Sequence, residues 1–405
     1  SPSPYDDDYF AQLNNRIAYL ETSRGCPFHC AFCLSGKGER VRYTSLERAK
    51  SEMVALAQSG TQTVKLVDRT FNADADRARE LFRFVIEQQG KGIPRGVCFH
   101  FEIGGDLLDE STLALLATAP VGCIQLEIGI QSLNEETLRS VRRFTPVNAL
   151  LEKLRRVIAP DNVHVHVDLI AGLPQEGLSS FIEGFNRAFQ LHPHALQLGF
   201  LKIIPGSAMR LDRETYPGLY DPQRPYQVQS TPWLKGEELQ QLATAEQALE
   251  KLYNRGRFAK TMMHLAAEGR HTAYDLFLHL GQRLVQAETE RNSSSLPLDV
   301  LTDVVFDALC GLYPAEEEKI RSLMLRDRLA TTATPFIPKL LRVRHPAFHP
   351  AREKLKALYP PKPGVYRGVS LCQDKGEMTI LWADYEAPHP VTGRYLVREM
   401  PIEDL

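Results

Sequence analysis

No stretch of this 405-residue chain reaches the run of about 18 apolar residues that a membrane-crossing helix needs, and no basic-then-apolar leader opens it. An excess of one charge is missing too: 48 Lys and Arg stand against 50 Asp and Glu, a formal net charge of −2. That balance excludes a general attraction to nucleic acid. Repeats of solenoid period are absent. Cysteine is sparse, with 7 residues, an odd number. A disulfide framework is therefore not expected to hold the chain together, and unpaired thiols suit a reducing, cytoplasmic location. What remains is 43% hydrophobic residues, enough over this length for a large core and about two domains.

Three of the seven cysteines stand together in Ser23-Arg24-Gly25-Cys26-Pro27-Phe28-His29-Cys30-Ala31-Phe32-Cys33. Cys98, Cys123, Cys310 and Cys372 are scattered singly and read as small buried hydrophobes. Cys26, Cys30 and Cys33 put three thiolates on one short loop with no fourth cysteine nearby. Structural zinc is a commoner use of clustered cysteine, but its ligands come as spaced pairs, and the one local spare ligand, His29, lies between two of the cysteines. A disulfide is the other alternative. Iron-sulfur clusters usually take four cysteines, so a three-cysteine loop holding one leaves an iron open to a substrate or cofactor.

The first two hundred residues alternate β-rich runs with amphipathic stretches, the pattern of βα units and a parallel sheet. Six strands are expected at Ile17 to Thr22, Thr63 to Asp68, Val97 to Ile103, Cys123 to Ile128, Val163 to Ile170 and Ala195 to Ile204. The helices between them are placed at Leu46 to Gln58, Ala75 to Gln88, Glu110 to Ala117, Glu135 to Arg142, Val147 to Val157 and Leu178 to Gln190, several opened by Ser, Asp or Asn caps. Six units in series predict a partial barrel with the cysteine loop at the carboxyl end of its first strand, where such barrels place their chemistry.

The strands carry a second signal. Strands covered by helices on both faces should be apolar on both. Here His100 and Glu102 share a face, as do Gln125 and Glu127, and His164, His166 and Asp168. The other faces, with Phe99, Phe101, Leu126, Ile128, Val165, Val167 and Leu169, are apolar. Buried carboxylates and imidazoles are costly unless paired or hydrated, so the set predicts a wet, ligand-holding lumen; a self-satisfied polar ladder is the alternative.

At Cys26, Cys30, Phe32 and Cys33 the chain resembles the radical S-adenosylmethionine (SAM) superfamily, whose defining motif is CxxxCxΦC. The resemblance implies a [4Fe-4S] cluster on the three cysteines, SAM chelating the open iron, and an electron donor such as flavodoxin or ferredoxin. The barrel looks like that of the oxygen-independent coproporphyrinogen dehydrogenases and methylthiotransferases. On that likeness Glu102 falls at a carboxylate used on the SAM ribose or amino acid moiety. Gln131 and Arg143 match the G-x-Q-S element and its downstream arginine, and Asp168 the aspartate before D-L-I-x-G-L-P. Phe32 would cover the adenine or shield the cluster. Thr70, in Asp68-Arg69-Thr70-Phe71-Asn72, takes the place of the usual glycine-rich amino-group motif without its glycines, and Lys202 would reach the SAM carboxylate. Read without the resemblance, Arg142 and Arg143 are ordinary helix-end cations and Lys202 a snorkelling side chain.

Further runs, Tyr19 to Cys26, Val67 to Asn72, His100 to Ile103, Leu198 to Lys202 and Asn254 to Phe258, look like the cobalamin-associated radical SAM proteins with an uncharacterised carboxyl-terminal extension. In those a cobalamin-binding domain usually precedes the barrel; this chain is expected to lack it. Cobalamin is thus an implication of kinship alone.

The fold class expected is α/β: a partial (β/α)6 barrel, then a mostly helical region with a small terminal β-sheet. Its parts are a linker at 1–16, the barrel at 17–207, a helical extension at 208–330 and a small basic α+β region at 331–405. Helices are placed at Gly236 to Leu252, at Tyr274 to Thr289 and onward to Arg328, and strands at Val365 to Leu371, Glu377 to Asp384 and Arg394 to Arg398. Arg342, Arg344, Arg352, Lys354, Lys356 and Lys362, interleaved with Phe348, Tyr359 and Tyr366, form either an RNA-binding patch or a solvated face. The expectation is an enzyme cleaving SAM to a 5′-deoxyadenosyl radical against an unknown substrate in the lumen. A cobalamin-dependent methyltransferase is one form of it; the rivals are a tRNA-modifying radical enzyme and a non-catalytic iron-sulfur or zinc module.

Overall fold

The computed structural model of the chain describes residues 3–13, 15–37, 40–334, 336–374 and 376–405. Two compact units divide it, residues 1–240 and 241–405.

The first unit is built on one six-stranded sheet, all parallel, with the strands side by side in chain order. We label them β1 (Ala18–Leu20), β2 (Thr63–Leu66), β3 (Cys98–Ile103), β4 (Ile124–Gln131), β5 (His164–Ala171) and β6 (Ala195–Phe200). This is the expected partial barrel. A helix returns the chain between most successive strands: α1 (Leu46–Gln58), α2 (Ala75–Gln88), α3 (Glu110–Ala117), α4 (Glu135–Ser140), α5 (Val147–Ile158) and α6 (Leu178–Phe189). The first three match the expected bounds because their caps are local and strong. Ser45, Asp74 and Asp109 each accept a backbone N–H from the first turn. Asn134 accepts two at the start of α4.

The apolar faces pack as the alternation requires. Phe99, Phe101, Leu126, Ile128, Val165 and Val167 are wholly buried, and Phe71, Phe82 and Phe101 meet with ring centroids 4.5 to 5.1 Å apart. Helix α5 buries Val147, Leu150, Leu151, Leu154 and Val157, each worth about 1.5–3 kcal/mol against exposure. Gly105 lets it approach: a Cβ there would meet Leu150 at 2.7 Å and Ile128 at 2.9 Å.

Three local expectations change. Strand β6 ends at Phe200 rather than Ile204, and Lys202 makes only an isolated bridge with Gln227. Strand β4 runs past Ile128 to Gln131 through a register shift after Gly129. Inside the stretch 1–16, read as a linker, Asp7–Leu13 is helical and the Tyr5 hydroxyl donates to Tyr19 O at 2.8 Å.

The second unit holds helices α7 (Ala259–Ala267), α8 (Ala273–Glu290), α9 (Leu298–Leu312), α10 (Glu317–Thr331) and α11 (Phe348–Leu358), with an antiparallel sheet of β7 (Arg367–Asp374), β8 (Glu377–Asp384) and β9 (Val397–Pro401). Ala351 and Leu355 of α11 pack on Leu371, Ile380 and Trp382. That places Arg352, Lys354 and Lys356, all exposed, on the outer side of the helix. The expected helix from Gly236 to Leu252 instead passes from α-helix at Ala248 into a π-turn over Leu249–Asn254. No helix among the described residues is long and apolar enough to cross a membrane.

Candidate active site

The cysteine loop follows β1 directly and is anchored through the backbone of Ala31. Ala31 N–H donates to Val141 O at 2.9 Å, and Ala31 O accepts from Met209 N–H at 3.0 Å. Within the loop the Cys33 N–H donates to Cys30 O at 3.0 Å, and the Ser35 N–H points at Cys33 Sγ, 3.4 Å away. Gly25 enters it at φ +104°, a conformation that favours glycine. Gly36 closes it: a Cβ there would lie 1.8 Å from Phe28 O. His29, the spare zinc ligand of the sequence reading, places Nδ1 2.7 Å from Gly36 O and so donates to that carbonyl. Its ring braces the loop.

All seven cysteines are unbonded, and among the described residues no three His, Cys, Asp or Glu side chains converge as ligands of one ion. Burial pushes the Cys30 thiol up, Cys33 and Cys26 push the same way, and the Arg143 charge pulls it back. A structural zinc takes four ligands; three cysteines on one loop, with His29 turned to the Gly36 carbonyl, leave the fourth position open, which suits a cluster. The residues present therefore fit an iron-sulfur group, with a cation already set to stabilise the thiolate form.

Arg143 is the hub. Its guanidinium donates to Gly129 O at 2.7 Å, and its Nε is buried without a hydrogen-bond partner among the described residues. Gln131, at φ +72° past the register shift, folds its amide over Gly129, where a Cβ would lie 2.1 Å from it. Gly129, Gln131, Arg143 and Cys30 thus gather from β4, the end of α4 and the loop. Asp168 stands beside Gly129 in the register, its Oδ1 3.2 Å from His166 Nε2. The unpartnered Nε of Arg143, a candidate SAM contact, fits a polar ligand there.

The turn after β2 is used differently from the resemblance. Asp68 is buried and accepts from Thr22 N–H at 2.7 Å and Thr22 Oγ1 at 2.5 Å, and burial lifts its pKa. Asn72 brackets Gly104, donating to its O and accepting from its N–H, both at 2.8 Å. Thr70 lies 3.2 Å from Cys26 Sγ. Polar side chains pin the turn where glycine would leave backbone open. Phe32 is half-buried between its cysteines. Lys202 is exposed, and among the described residues its ammonium has no partner.

Below this lies the polar lumen, in rows set by the register. Lys65, His100, Gln125 and His164 form one row; Glu102, Glu127 and His166 the next; Gly129, Asp168 and Gln197 the third. Much of its charge is paired. Lys65 Nζ lies 3.0 Å from Glu127 and 3.9 Å from Glu102, and His100 Nε2 is 2.9 Å from Glu127. Contact with His100 holds the Glu127 carboxyl down at about 2, whereas burial, with Glu127 beside it, raises Glu102. Burial drives His164 down to about 3, so it is neutral. Burial opposes charge on His166 too, but Asp168 overrides it and its pKa rises. The lumen is thus half a ladder and half a ligand site. The sequence reading missed Lys65, whose single charge on a short strand gave no periodic signal. It also missed Glu176, buried at 2% exposure, which accepts from Ser132 Oγ at 2.5 Å and is pushed up to about 7 by burial.

Residues 20–187 match the radical SAM superfamily, and residues 214–362 match a family described as a protein of unknown function, DUF4080. The chain is 27% identical over 223 residues to a cobalamin-dependent radical SAM methyltransferase, TokK, of Streptomyces tokunonensis, covering 52% of this chain and 32% of that protein. It is 28% identical over 188 residues to a tRNA-2-methylthio-N(6)-dimethylallyladenosine synthase of Chlorobaculum tepidum, covering 43% and 42%. Among solved structures, the radical SAM methyltransferase TsrM from Kitasatospora setae, with cobalamin and a [4Fe-4S] cluster bound, superposes with a TM-score of 0.46 at 20% identity, over 53% of this chain and 40% of that one. The chain spans about a third of the methyltransferase it matches.

Proposed function

With residues 20–187 a radical SAM domain, we propose that this chain is an enzyme that cleaves SAM reductively and uses the radical to transfer a methyl group. The observation that carries the reading is the assembly of Arg143, Gly129, Gln131 and Cys30, joined to the three cysteines on one loop. Cys26, Cys30 and Cys33 would hold a [4Fe-4S] cluster, and Glu102, Gln131, Arg143 and Asp168 would hold SAM. Together these groups, when bound, supply a 5′-deoxyadenosyl radical; the protein positions the carbon to be attacked and excludes water and oxygen. Arg143 stabilises the Cys30 thiolate and keeps its Nε for the ligand. Thr70 and the Ser35 N–H hydrogen-bond toward Cys26 and Cys33, the kind of contact that tunes a cluster's potential. Phe32 shields the loop from solvent. An external reductant, as radical SAM enzymes need, would reach it from outside.

Methyl transfer is favoured by the kinship with TokK, and cobalamin by the same kinship; no described residue marks a place for it, so no step is routed through it. Anaerobic reconstitution should load about four irons per chain, and reductant with SAM should release 5′-deoxyadenosine, abolished in Cys30→Ala. SAM carrying a deuterated methyl, incubated with and without cobalamin, tests the transfer: no labelled product in either case removes it. A second reading, tRNA modification, is favoured by the Chlorobaculum relative. It predicts salt-sensitive retention of tRNA that is lost when Arg342 and Arg344 become alanine.

A further inference from the structure

Beside the cysteine loop lies a cavity of about 580 Å³ whose wall carries four guanidinium groups, Arg24, Arg40, Arg42 and Arg69, against one carboxylate, Glu21. The loop itself forms part of that wall through Gly25 and Ser35, the residue before Cys26 and the one whose N–H points at Cys33 Sγ. Glu21 is engaged by Arg24 at 2.5 Å. Arg69 leans toward the lumen, 3.7 Å from Glu102. Among the described residues Arg40 and Arg42 have no carboxylate at ion-pair distance. Positive charge therefore exceeds what the protein neutralises, in a concavity of small-ligand size. A second recess, of about 620 Å³, shares Glu21, Ser23, Arg24 and Arg42 with it and adds Tyr5 and Tyr43. The Tyr43 ring is 40% exposed, with the Arg77 guanidinium 5.3 Å over its centroid. One end of the cleft is cationic; the other sets the two tyrosines beside the Arg48–Glu52 ion pair, 2.9 Å apart.

Resting on the radical SAM reading, we propose that this cleft holds the phosphate of the small molecule on which the enzyme acts, with the rest of that molecule along Tyr43. Guanidinium forks match phosphate oxygens two at a time. With Arg24 on Glu21 and Arg69 beside Glu102, the two uncompensated guanidiniums, Arg40 and Arg42, suit a phosphate dianion or diphosphate better than a single carboxylate. Because Gly25 and Ser35 of the cysteine loop form part of the cleft wall, a molecule anchored there lies beside that loop. A convex, acidic protein surface would meet these arginines only at their tips.

Isothermal titration of the full-length protein with inorganic pyrophosphate, which needs no turnover, tests the proposal. The expected result is one saturable site, weakened by added salt and about tenfold by Arg42→Ala and by Arg40→Ala. Arg42→Lys should keep part of the affinity, and Arg352→Ala on α11 should leave it unchanged; circular dichroism confirms that each variant is folded. Absence of saturable binding overturns the proposal, as does an affinity that follows Arg352 rather than Arg40 and Arg42. So does binding of flavodoxin, but not pyrophosphate, that depends on Arg40 and Arg42. Failure of the wild-type protein to release 5′-deoxyadenosine would instead strike the radical SAM reading, and the pyrophosphate isotherm is independent of it.

Discussion

Gly36 has no room for a methyl group, with Phe28 O only 1.8 Å from where Cβ would stand, so Gly36→Ala must open the loop that spaces the thiols. We expect this variant to lose stability in chemical denaturation and, in its folded fraction, to bind less than half the iron of the wild type on reconstitution, read by iron and sulfide content. Glu176 gives a pH signature. Its carboxyl is ordinarily near 4.5 and is raised to about 7, so the folded protein keeps a proton that the unfolded chain releases. Stability from this group is complete below about 4.5 and declines as pH rises to about 7, a loss of about 3 kcal/mol at most. Glu176→Gln, which can still accept from Ser132, should be close to wild type at pH 4.5 and more stable at pH 8, in urea midpoints taken across that range. The spacing of Cys26, Cys30 and Cys33 and the placing of Glu102 and Asp168 on polar strand faces were legible in the sequence because both patterns are local, whereas Gln131 and Arg143 were proposed there by resemblance alone. Lys65, Gly36 and Glu176 were not legible, since each matters through a partner distant in the chain or through space around it.

At the scale of elements, the three helices with a single side-chain cap and a clean apolar stripe began and ended where the sequence placed them. The strand ends did not, because a strand stops where its neighbour stops pairing. β6 loses its partner after Phe200, while β4 is carried to Gln131 by the shift at Gly129. Asn72 ties the turn after β2 to the end of β3 through two hydrogen bonds. Asn72→Ala should cost about 1–3 kcal/mol, since it leaves Gly104 N–H buried and unpaired while Gly104 O keeps only the Leu107 N–H, and should disturb Thr70 beside Cys26. Chemical denaturation and the absorbance of the reconstituted protein check both effects. On α5, Leu154 is wholly buried; Leu154→Ala should cost about 2–5 kcal/mol without altering iron content, a contrast that separates packing from ligation.

On the scale of the whole molecule, each unit has its own polar keystone. In the second it is Asp327, fully buried, which accepts from Thr261 N–H at 2.8 Å and Thr261 Oγ1 at 2.6 Å and pairs with Arg394 at 2.5 Å. Arg394 also donates to Gly256 O at 2.9 Å. Breaking a buried pair leaves one charge uncompensated, typically at about 3–5 kcal/mol. Asp327→Ala should lower one calorimetric transition and leave the barrel's own unfolding in place. The sequence by itself determined the parallel sheet, its apolar and polar faces and the three thiolates on one loop, because each is written in spacings of a few residues. Only the tertiary structure decided which charges pair across strands, where the strands end, and that Arg143 reaches Cys30 while Arg24, Arg40, Arg42 and Arg69 crowd one cavity. Those outcomes depend on register and on loops closing between residues tens of positions apart, distances over which local pattern carries no information.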